Sequence, residues 1–346
     1  MNILVLGGTG AMGTHLISFL SENNDVQVTV TSRKERNSHG NISYIVGNAR
    51  EKAFMSELLK KSHYDVIVDF MNYNYEEFLE YHRALLSATD HYIFLSSSRV
   101  YANYEGRITE SCPRLLETSK DQAFLSTNRY ALRKAREEDM LRASGMNNYT
   151  IIRPYITYSN RRLQLGIYEK EEWLYRVLND KPLIMSEGIL DKTTTLSYGR
   201  DVSFGIYKIA LGKPLADAVH ITTTENMTWL EILKMYASII KKQTGKDIVL
   251  YTSPEMKSIE MIYEGGYNTI YDRQWNRQFD NAKAELVCEH IDYLGMQEGL
   301  SGCLEEFLRD WKVEGNAVFL PLNSEYEKEM DRLTQDPSVQ KEIVQL

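Results

Sequence analysis

Tyr130 and Lys134 are a pair of side chains that could move a proton. They lie four residues apart in a helical pattern, which puts them on one face of the helix, about one turn apart. A tyrosine hydroxyl exchanges protons poorly near neutrality, and a neighbouring ammonium group favours its phenolate form. The same spacing also occurs on ordinary helix surfaces. The pair therefore indicates acid–base chemistry only together with other catalytic groups.

Hydroxyl side chains follow an apolar stretch earlier in the chain. Residues 92–95 have the pattern of a strand, and Ser96, Ser97 and Ser98 come directly after it. Ligands of open α/β sheets bind at the carboxyl ends of the strands. A serine at this point could hydrogen-bond a substrate oxygen while the tyrosine transfers its proton. A serine-rich turn with a purely structural role is the alternative.

The chain begins with the pattern strand, glycine turn, helix. Residues 2–6 are apolar and rich in β-branched side chains, and residues 14–20 are amphipathic. Between them, Gly7 permits a sharp turn, Gly10 leaves room for a pyrophosphate, and Gly13 lets the helix pack closely on the strand. Free N–H groups at the start of the helix favour an anion. This pattern predicts dinucleotide binding.

Strands and helices alternate through the first half of the chain. The patterns predict strands at 26–31, 42–46, 65–70, 92–95 and 149–152, and helices at 52–59, 75–88 and 126–143. Such alternation indicates a parallel sheet covered on both faces. The second half is less regular, with predicted helices at 168–179 and 227–242 and predicted strands at 193–198, 218–222 and 247–252.

We therefore predict an α/β fold with a Rossmann-type doubly wound parallel sheet and a smaller C-terminal substrate-binding domain. The dinucleotide-binding domain is assigned to residues 1–160, and the smaller domain with the C-terminal tail to 161–346. Segments near 193–222 are expected to return to the first domain. The polar stretch from about Ser324 is expected to form a peripheral helix or a frayed tail.

Composition limits the class of protein. The 346 residues are 43% hydrophobic and 25% charged, as in a soluble globular enzyme, and the net charge of −8 disfavours nucleic-acid binding. Cys112, Cys288 and Cys303 have no metal-ligand spacing, so we expect reduced thiols and no metal site. No signal sequence or membrane-spanning apolar run is apparent, so we expect a cytoplasmic protein with no membrane partner.

With these motifs in order, the sequence resembles the extended short-chain dehydrogenase/reductase family of the NAD-dependent epimerase/dehydratase type. This family contains nucleotide-sugar epimerases, dehydratases and reductases. The glycines at 7, 10 and 13 match its cofactor turn, residues 96–101 its Ser-Ser-x-x-Val-Tyr segment, and Tyr130-x-x-x-Lys134 its active-site helix. Arg153-Pro154 matches the segment that enters the nicotinamide pocket. The resemblance covers nearly the whole chain.

The resemblance implies hydride transfer between the nicotinamide C4 and a substrate carbon. Tyr130 would act as general acid/base, Lys134 would tune it and hold the ribose, and Ser97, three residues before Val100, would polarise the reacting oxygen. The implied cofactor-binding residues are Gly7, Thr9, Gly10, Ala11, Met12, Gly13, Ser32, Arg33, Asn48, Ala49, Phe70, Met71, Tyr130, Lys134 and Pro154.

The end of the second strand bears on which dinucleotide binds. A relative that prefers NAD would have an acidic residue for the ribose hydroxyls where this chain has Thr31. Arg33 and Lys34 follow, and their positive charge suits a 2′-phosphate. We therefore expect NADP, with NAD as the alternative. Asn48 occupies a position often held by an aspartate that contacts the adenine.

Two departures from the family pattern bear on the reaction and the substrate. Ser98-Arg99 replaces the Asp-Glu pair of sugar dehydratases, which disfavours dehydration. Thr194 stands seven residues before Asp201, where epimerases often have an arginine for the substrate diphosphate. Other cations are expected to replace that arginine. The predicted substrate contacts are Ser97, Tyr101, Arg161 and Arg273, with Arg162, Arg200 and Arg277 as further candidate cations.

These features predict an NAD(P)-dependent epimerase or reductase that acts on a sugar-type hydroxyl or ketone, such as that of a nucleotide sugar. The alternative is a non-catalytic NADP-binding regulator or an RNA-interacting relative of the same fold. Thr194 and the unusual segment 69–72 keep the alternative open, whereas the intact Tyr130–Lys134 pair and the acidic net charge count against it. Relatives often pair through helices equivalent to 75–88 and 126–143, which implies a homodimer.

Overall fold

The computed structural model describes residues 1–253, 259, 262, 266–336 and 340–342. The strands are β1 (Asn2–Leu6), β2 (Gln27–Ser32), β3 (Ile42–Val46), β4 (Tyr64–Asp69), β5 (Thr89–Leu95), β6 (Tyr149–Pro154), β7 (Thr157–Tyr158), β8 (Leu183–Ser186), β9 (Thr193–Thr194), β10 (Ser197–Tyr198), β11 (Ala218–Ile221), β12 (Met227–Thr228), β13 (Leu250–Ser253) and β14 (Gln340–Glu342).

The α-helices in the described residues are α1 (Ala11–Ser21), α2 (Lys52–Lys61), α3 (Tyr75–Ser87), α4 (Leu115–Thr118), α5 (Gln122–Leu125), α6 (Tyr130–Arg142), α7 (Leu174–Leu178), α8 (Glu187–Leu190), α9 (Gly199–Ala210), α10 (Trp229–Thr244), α11 (Ala282–Cys288), α12 (Met296–Glu314) and α13 (Ser324–Thr334). Short 3₁₀ helices span Ser98–Val100 and Gly315–Val318, and a π-helix spans Thr269–Arg273. None of the helices in the described part of the chain is long and apolar enough to cross a membrane.

Seven strands form a central sheet in the order β11-β6-β5-β4-β1-β2-β3, and every pair in it is parallel. The strand order reverses between β1 and β4, where Leu6 is in register with Asp69. Such a reversal opens a crevice at the carboxyl ends of the strands, which is where ligands of doubly wound sheets bind. The predicted fold class is confirmed.

Alternating side chains of the strands face two helical layers. Ile3 and Val5 of β1 pack into the core on the side of α1 and α9, whereas Leu4 and Leu6 pack on the side of α2 and α3. This period of two is what a strand buried on both faces requires. The side chain of Asn74 accepts a hydrogen bond from Glu77 N, and the Glu77 carboxylate accepts one from Asn74 N, which fixes the start of α3.

The helix that carries Tyr130 and Lys134 begins later than its pattern predicts. The prediction was 126–143, but α6 starts at Tyr130 because residues 126–129 form the turn that follows α5. The Arg136 guanidinium donates to the carbonyl groups of Thr127 and Leu125 and holds this turn. The predicted helix at 168–179 was largely wrong, since only Leu174–Leu178 is α-helical.

The C-terminal half builds a second core beside the sheet. Strands β8, β13 and β14 form a small sheet, and the rings of Trp173 and Tyr236 stack with their centres 5.0 Å apart. Strand β11 joins the central sheet, with Ala218 in register with Ile151, whereas β9 and β10 pair with β12 and β7. The stretch from Ser324 begins with helix α13, and the predicted tail at 337–339 and 343–346 lies outside the described residues.

Candidate active site

The glycine turn has the shape that a pyrophosphate needs. Gly7 has a φ of +70°, and its N–H donates to Thr31 Oγ1 at 3.1 Å. A Cβ atom on Gly13 would lie 2.5 Å from the carbonyl carbon of Gly8, so only glycine lets the helix pack this closely. A Cβ atom on Gly10 would meet nothing within 4 Å, which leaves open space at the start of α1.

The start of α1 is also free of competing groups. Its N-cap residue is Gly10, which has no side chain to cap the helix, and none of the described residues of its first turn is acidic. The N–H groups at this end therefore stay available to an anion, and the helix dipole favours one. The residues present fit the diphosphate of a dinucleotide.

Beside this turn, a cavity of about 480 Å³ lies at the carboxyl ends of the central strands. It brings together residues that the sequence predicts for the cofactor, the proton transfer and the substrate. Those that line it are Met12, Phe70, Met71, Ser97, Tyr130, Lys134, Pro154 and Arg273. One cavity thus contains the three predicted catalytic side chains and one end of the predicted cofactor site.

The three consecutive serines have different surroundings. Ser96 donates to Glu138 Oε1 at 2.6 Å, and Ser98 donates to the carbonyl oxygen of Arg153 at 2.7 Å. Ser97 Oγ accepts a hydrogen bond from Arg99 N at 3.2 Å and donates to none of the described residues. Ser97 also lines the cavity, so this unused proton can reach a substrate oxygen there.

Tyr130 is the first residue of α6, and two arginine side chains lie over its ring. The guanidinium carbons of Arg99 and Arg133 are 5.2 and 5.6 Å from the ring centre. Arg133 donates to Asn72 Oδ1 at 2.8 Å, which orients its guanidinium group. Cation–π contacts of this kind hold the aromatic ring in place and put positive charge beside it.

Lys134 is almost wholly buried and forms part of the cavity wall. Its Nζ lies 3.0 Å from Glu137 Oε2 and 4.5 Å from the centre of the Phe94 ring. Burial raises the pKa of Glu137, while the nearby charges of Lys134 and Arg133 act in the opposite direction. The lysine is therefore held by a carboxylate one turn further along its own helix.

Asp69, at the end of β4, is a second buried carboxyl group near Lys134. Burial raises its pKa to about 6. Hydrogen bonds from Met71 N at 2.9 Å and from the Tyr92 hydroxyl at 2.8 Å favour the ionised form, as does the charge of Lys134. Asp69 thereby fixes the backbone of the segment that borders the predicted cofactor site.

Glu138 is the centre of an ion cluster that the sequence analysis did not find. It is fully buried, pairs with Arg153 at 2.6 Å and with Arg114 at 3.0 Å, and accepts from Ser96. Arg114 comes from the long 102–128 segment, so this pair ties that segment to the active-site helix. The spacing of Glu138 from the cation Arg142, four residues on, was the available indication.

The remaining predicted cofactor residues lie along the same edge of the sheet. Ser32 is buried and donates to the Lys34 carbonyl oxygen at 2.7 Å, and the Arg33 side chain is exposed. Asn48 donates to Glu51 Oε1 at 3.3 Å, and Ala49 beside it is buried. Thr9 and Ala11 belong to the glycine turn and to the first turn of α1.

Only some of the predicted substrate contacts line the cavity. Arg273 lines the cavity, whereas Arg161 is exposed and is absent from its lining. Tyr101 is fully buried, with its hydroxyl 3.1 Å from His220 Nδ1, and is also absent from the lining. Arg162 does line the cavity.

Two other candidate cations point elsewhere. Arg277 donates to the carbonyl oxygens of Tyr101 and Ala102. The guanidinium carbon of Arg200 lies 5.2 Å from the centre of the Phe19 ring. Of the candidate cations, Arg162 and Arg273 line the cavity, whereas Arg161, Arg200 and Arg277 do not.

The fold and the site define a dinucleotide-dependent enzyme of the extended short-chain dehydrogenase/reductase type. The model of the NAD dependent epimerase/dehydratase family matches residues 3–188. The chain belongs to this family. A search of curated protein sequences finds no match.

Several solved structures have a similar fold. UDP-glucuronic acid 4-epimerase from Bacillus cereus, in complex with NAD, has a TM-score of 0.66 and 17% identity over 92% of this chain and 100% of that one. dTDP-glucose 4,6-dehydratase from Bacillus anthracis, also with NAD, has a TM-score of 0.67 and 17% identity, covering 93% and 100%. UDP-N-acetylglucosamine 4-epimerase from Methanobrevibacter ruminantium M1, in complex with UDP-N-acetylmuramic acid, has a TM-score of 0.64 and 16% identity, covering 90% and 98%.

Proposed function

We propose that the protein is an epimerase or reductase that acts on a hydroxyl or ketone group of a sugar substrate, with a nucleotide sugar as the substrate class. Tyr130 is the general acid/base. The observation that carries this proposal is the shared cavity, in which Ser97, Tyr130 and Lys134 meet Met12 from the helix of the glycine turn. A bound nicotinamide dinucleotide supplies the hydride acceptor or donor.

Each side chain has a task that follows from its surroundings. Ser97 donates a hydrogen bond to the substrate oxygen, because its proton is not used by any described residue. Tyr130 takes the proton of that hydroxyl, or returns it to the ketone. Lys134, one turn further along the helix, lines the same cavity and supplies a positive charge there.

Water elimination is a poorer fit to this cavity. It requires an acid and a base beyond the tyrosine, and Glu169 is the one carboxylate among the described residues of the lining. Glu169 is held by Arg162 at 3.0 Å. Arg99 stands where a dehydratase would have a glutamate. These observations support an epimerase or a reductase over a dehydratase.

We further propose that NADP is the preferred cofactor. Thr31 has no carboxylate for the ribose hydroxyls. Its own hydroxyl accepts a hydrogen bond from Gly7 N. The side chains of Arg33 and Lys34 are exposed and form no ion pair with any described residue, so both are free for a 2′-phosphate. The relatives named above were solved with NAD or with a nucleotide sugar. Titration of the protein with NADP⁺ and NAD⁺ tests this preference, and Arg33→Ala should weaken NADP⁺ binding by about tenfold or more without affecting NAD⁺.

The reaction is tested by following NADPH and NADP⁺ absorbance, and product stereochemistry, across a panel of sugar nucleotides. Tyr130→Phe should lower turnover by about 10²- to 10⁴-fold while cofactor binding persists. Tyr104→Phe, at an exposed tyrosine, is the matched control and should keep full activity. Normal hydride transfer in Tyr130→Phe would refute the assignment. Tight cofactor binding without turnover of any substrate would support the non-catalytic regulator instead.

The assembly and location are proposals as well. We propose a cytoplasmic homodimer that pairs through α3 and α6, as the resemblance to the family implies. Leu79 on α3 is 51% exposed, which gives this helix an apolar side chain to bury. A molecular mass of one chain in light scattering would refute the proposed dimer.

A further inference from the structure

The wall of the cavity carries more positive than negative charge. Among the described residues that line it, four are cationic and one is anionic; the cations are Arg99, Lys134, Arg162 and Arg273, and the anion is Glu169. The chain as a whole has a net charge of −8, so this excess is local to the cavity. Lys134 and Arg162 each have a carboxylate at 3.0 Å. Arg273 pairs with Asp272, which lies outside the lining, whereas Arg99 Nε is 3.7 Å from that same carboxylate. Arg99 is therefore the least balanced of the four cations.

Those two arginines share one carboxylate with a third. Asp272 is buried and contacts Arg273 Nη1, Arg277 Nε at 2.9 Å and, at 3.7 Å, Arg99 Nε. The same carboxylate also accepts from the Tyr155 hydroxyl at 3.1 Å. Burial lowers the pKa of both Arg273 and Arg277 to about 10, and the charge of Arg99 acts in the same direction. Three guanidinium groups thus surround the single carboxylate of Asp272, which also accepts a hydrogen bond from Tyr155.

The spare hydrogen-bonding capacity is on Arg99. Its Nη2 donates to Asn268 Oδ1, but its Nε is buried and makes no hydrogen bond with the described residues. Arg277, in contrast, spends its donors on carbonyl oxygens and on Asp272. The Arg99 side chain is 18% exposed, but a buried N–H without an acceptor is costly unless a ligand group completes it. Arg273 uses its Nε on the Gly166 carbonyl oxygen at 3.0 Å and its Nη1 on Asp272, and its Nη2 makes no hydrogen bond with the described residues. Both arginines line the cavity, so an anionic ligand group there can take up their remaining donors.

The position of Arg99 says where on the substrate that anionic group lies. Its guanidinium carbon is 5.2 Å from the centre of the Tyr130 ring. A group bound by Arg99 therefore lies near the ring of Tyr130, the proposed general acid/base. A guanidinium group matches the two oxygens of a carboxylate.

We propose that Arg99 and Arg273 form a subsite for a carboxylate on the sugar ring, so that the substrate is the nucleotide derivative of a sugar acid. The inference rests on the proposed function and specifies its substrate. A substrate diphosphate offers the same anionic chemistry, and the test below separates the two sources by using ligands that share the diphosphate and differ in the sugar.

The experiment is calorimetric titration of the Tyr130→Phe protein, saturated with NADP⁺, with UDP-glucuronic acid, UDP-glucose and UDP. UDP-glucuronic acid should bind at least about tenfold more tightly than UDP-glucose. Arg99→Gln should weaken UDP-glucuronic acid by about 10- to 100-fold, as expected for loss of a charge-assisted hydrogen bond. The same variant should leave UDP-glucose and UDP within about threefold.

Two controls keep the result interpretable. Arg309→Gln removes an exposed arginine of α12 and should change none of the three affinities. Arg99→Lys keeps the charge and loses the planar fork, so it should restore part of the preference for the acidic ligand. Urea unfolding of each variant confirms that it is folded before titration.

Two outcomes would overturn the inference. One is a protein that binds UDP-glucuronic acid no better than UDP-glucose. The other is an Arg99→Gln variant that weakens all three ligands equally, which would assign the arginine to the diphosphate. Failure of the proposed function would give a different result. Hydride transfer would then be unchanged in Tyr130→Phe, whatever the charge of the sugar.

Discussion

Lys134 Nζ and Glu137 Oε2 lie 3.0 Å apart on helix α6, with the lysine side chain 3% and the glutamate side chain 0% exposed. Arg133 also reaches Glu137, at 3.4 Å. One buried carboxylate therefore contacts both the lysine that lines the cavity and the arginine over the Tyr130 ring. We therefore expect Glu137 to position the proposed acid–base pair.

Glu137→Gln should cost stability, because it leaves Lys134 and Arg133 buried without their carboxylate. Removing one partner of a buried ion pair lowers the free energy of unfolding by about 3 to 5 kcal/mol, and urea denaturation measures it. Glu57→Gln is the control, since Glu57 pairs with Lys61 on the surface and should contribute little. Equal stability of the two variants would show that the buried pair has no special role.

Gly10 and Gly13 should respond differently to the same substitution. Gly13→Ala brings a methyl group to 2.5 Å from the Gly8 carbonyl carbon, which should lower the free energy of unfolding by about 1 to 3 kcal/mol. Gly10→Ala enters open space and should leave stability within about 0.5 kcal/mol. Its effect should be on NADP⁺ affinity, measured by fluorescence titration, with a loss of about tenfold or more. Unchanged affinity in Gly10→Ala would place the pyrophosphate elsewhere.

Asp69 should make stability depend on pH. Burial raises its pKa from 3.8 to about 6, so the folded state favours the protonated carboxyl group. Its stabilising contribution is full below about pH 4 and is lost as the pH rises through about 6, a change of about 3 kcal/mol. Asp69→Asn lacks this titration. Relative to the parent protein, the variant should therefore gain about 3 kcal/mol between pH 4 and pH 7 in urea denaturation. A difference that stays constant with pH would contradict the assignment.

The sheet and its glycine turn could be predicted from local patterns. Alternation in residues 2–6 and the spacing of Gly7, Gly10 and Gly13 depend on neighbours in the sequence, and such patterns indicate strand, turn and helix directly. The pair Tyr130 and Lys134 was likewise visible because both residues lie on one helix.

The arrangement of charges around the cavity could not be predicted in this way. Arg99 and Asp272 are 173 positions apart in the sequence, and only the folded chain brings them to 3.7 Å. Arg277 looked like a substrate cation because sequence does not reveal that its donors end on backbone carbonyl oxygens. Arg161 and its neighbour Arg162 could not be told apart, since which of two adjacent side chains faces the cavity depends on the local turn.

Substitutions at Ser96 and Ser97 should separate an effect on turnover from an effect on the free energy of unfolding. Ser97→Ala removes the hydroxyl that is free to meet the substrate, so turnover at saturating substrate should fall by about 10²- to 10³-fold, with a stability loss of about 1 kcal/mol or less. Ser96→Ala takes a donor from buried Glu138, so it should lower the free energy of unfolding by about 1 to 3 kcal/mol. Steady-state kinetics and urea denaturation on the two variants measure both effects. If Ser96→Ala lost turnover while Ser97→Ala kept it, the reacting oxygen would have to lie against Ser96, and the register of the proposed site would be wrong by one residue.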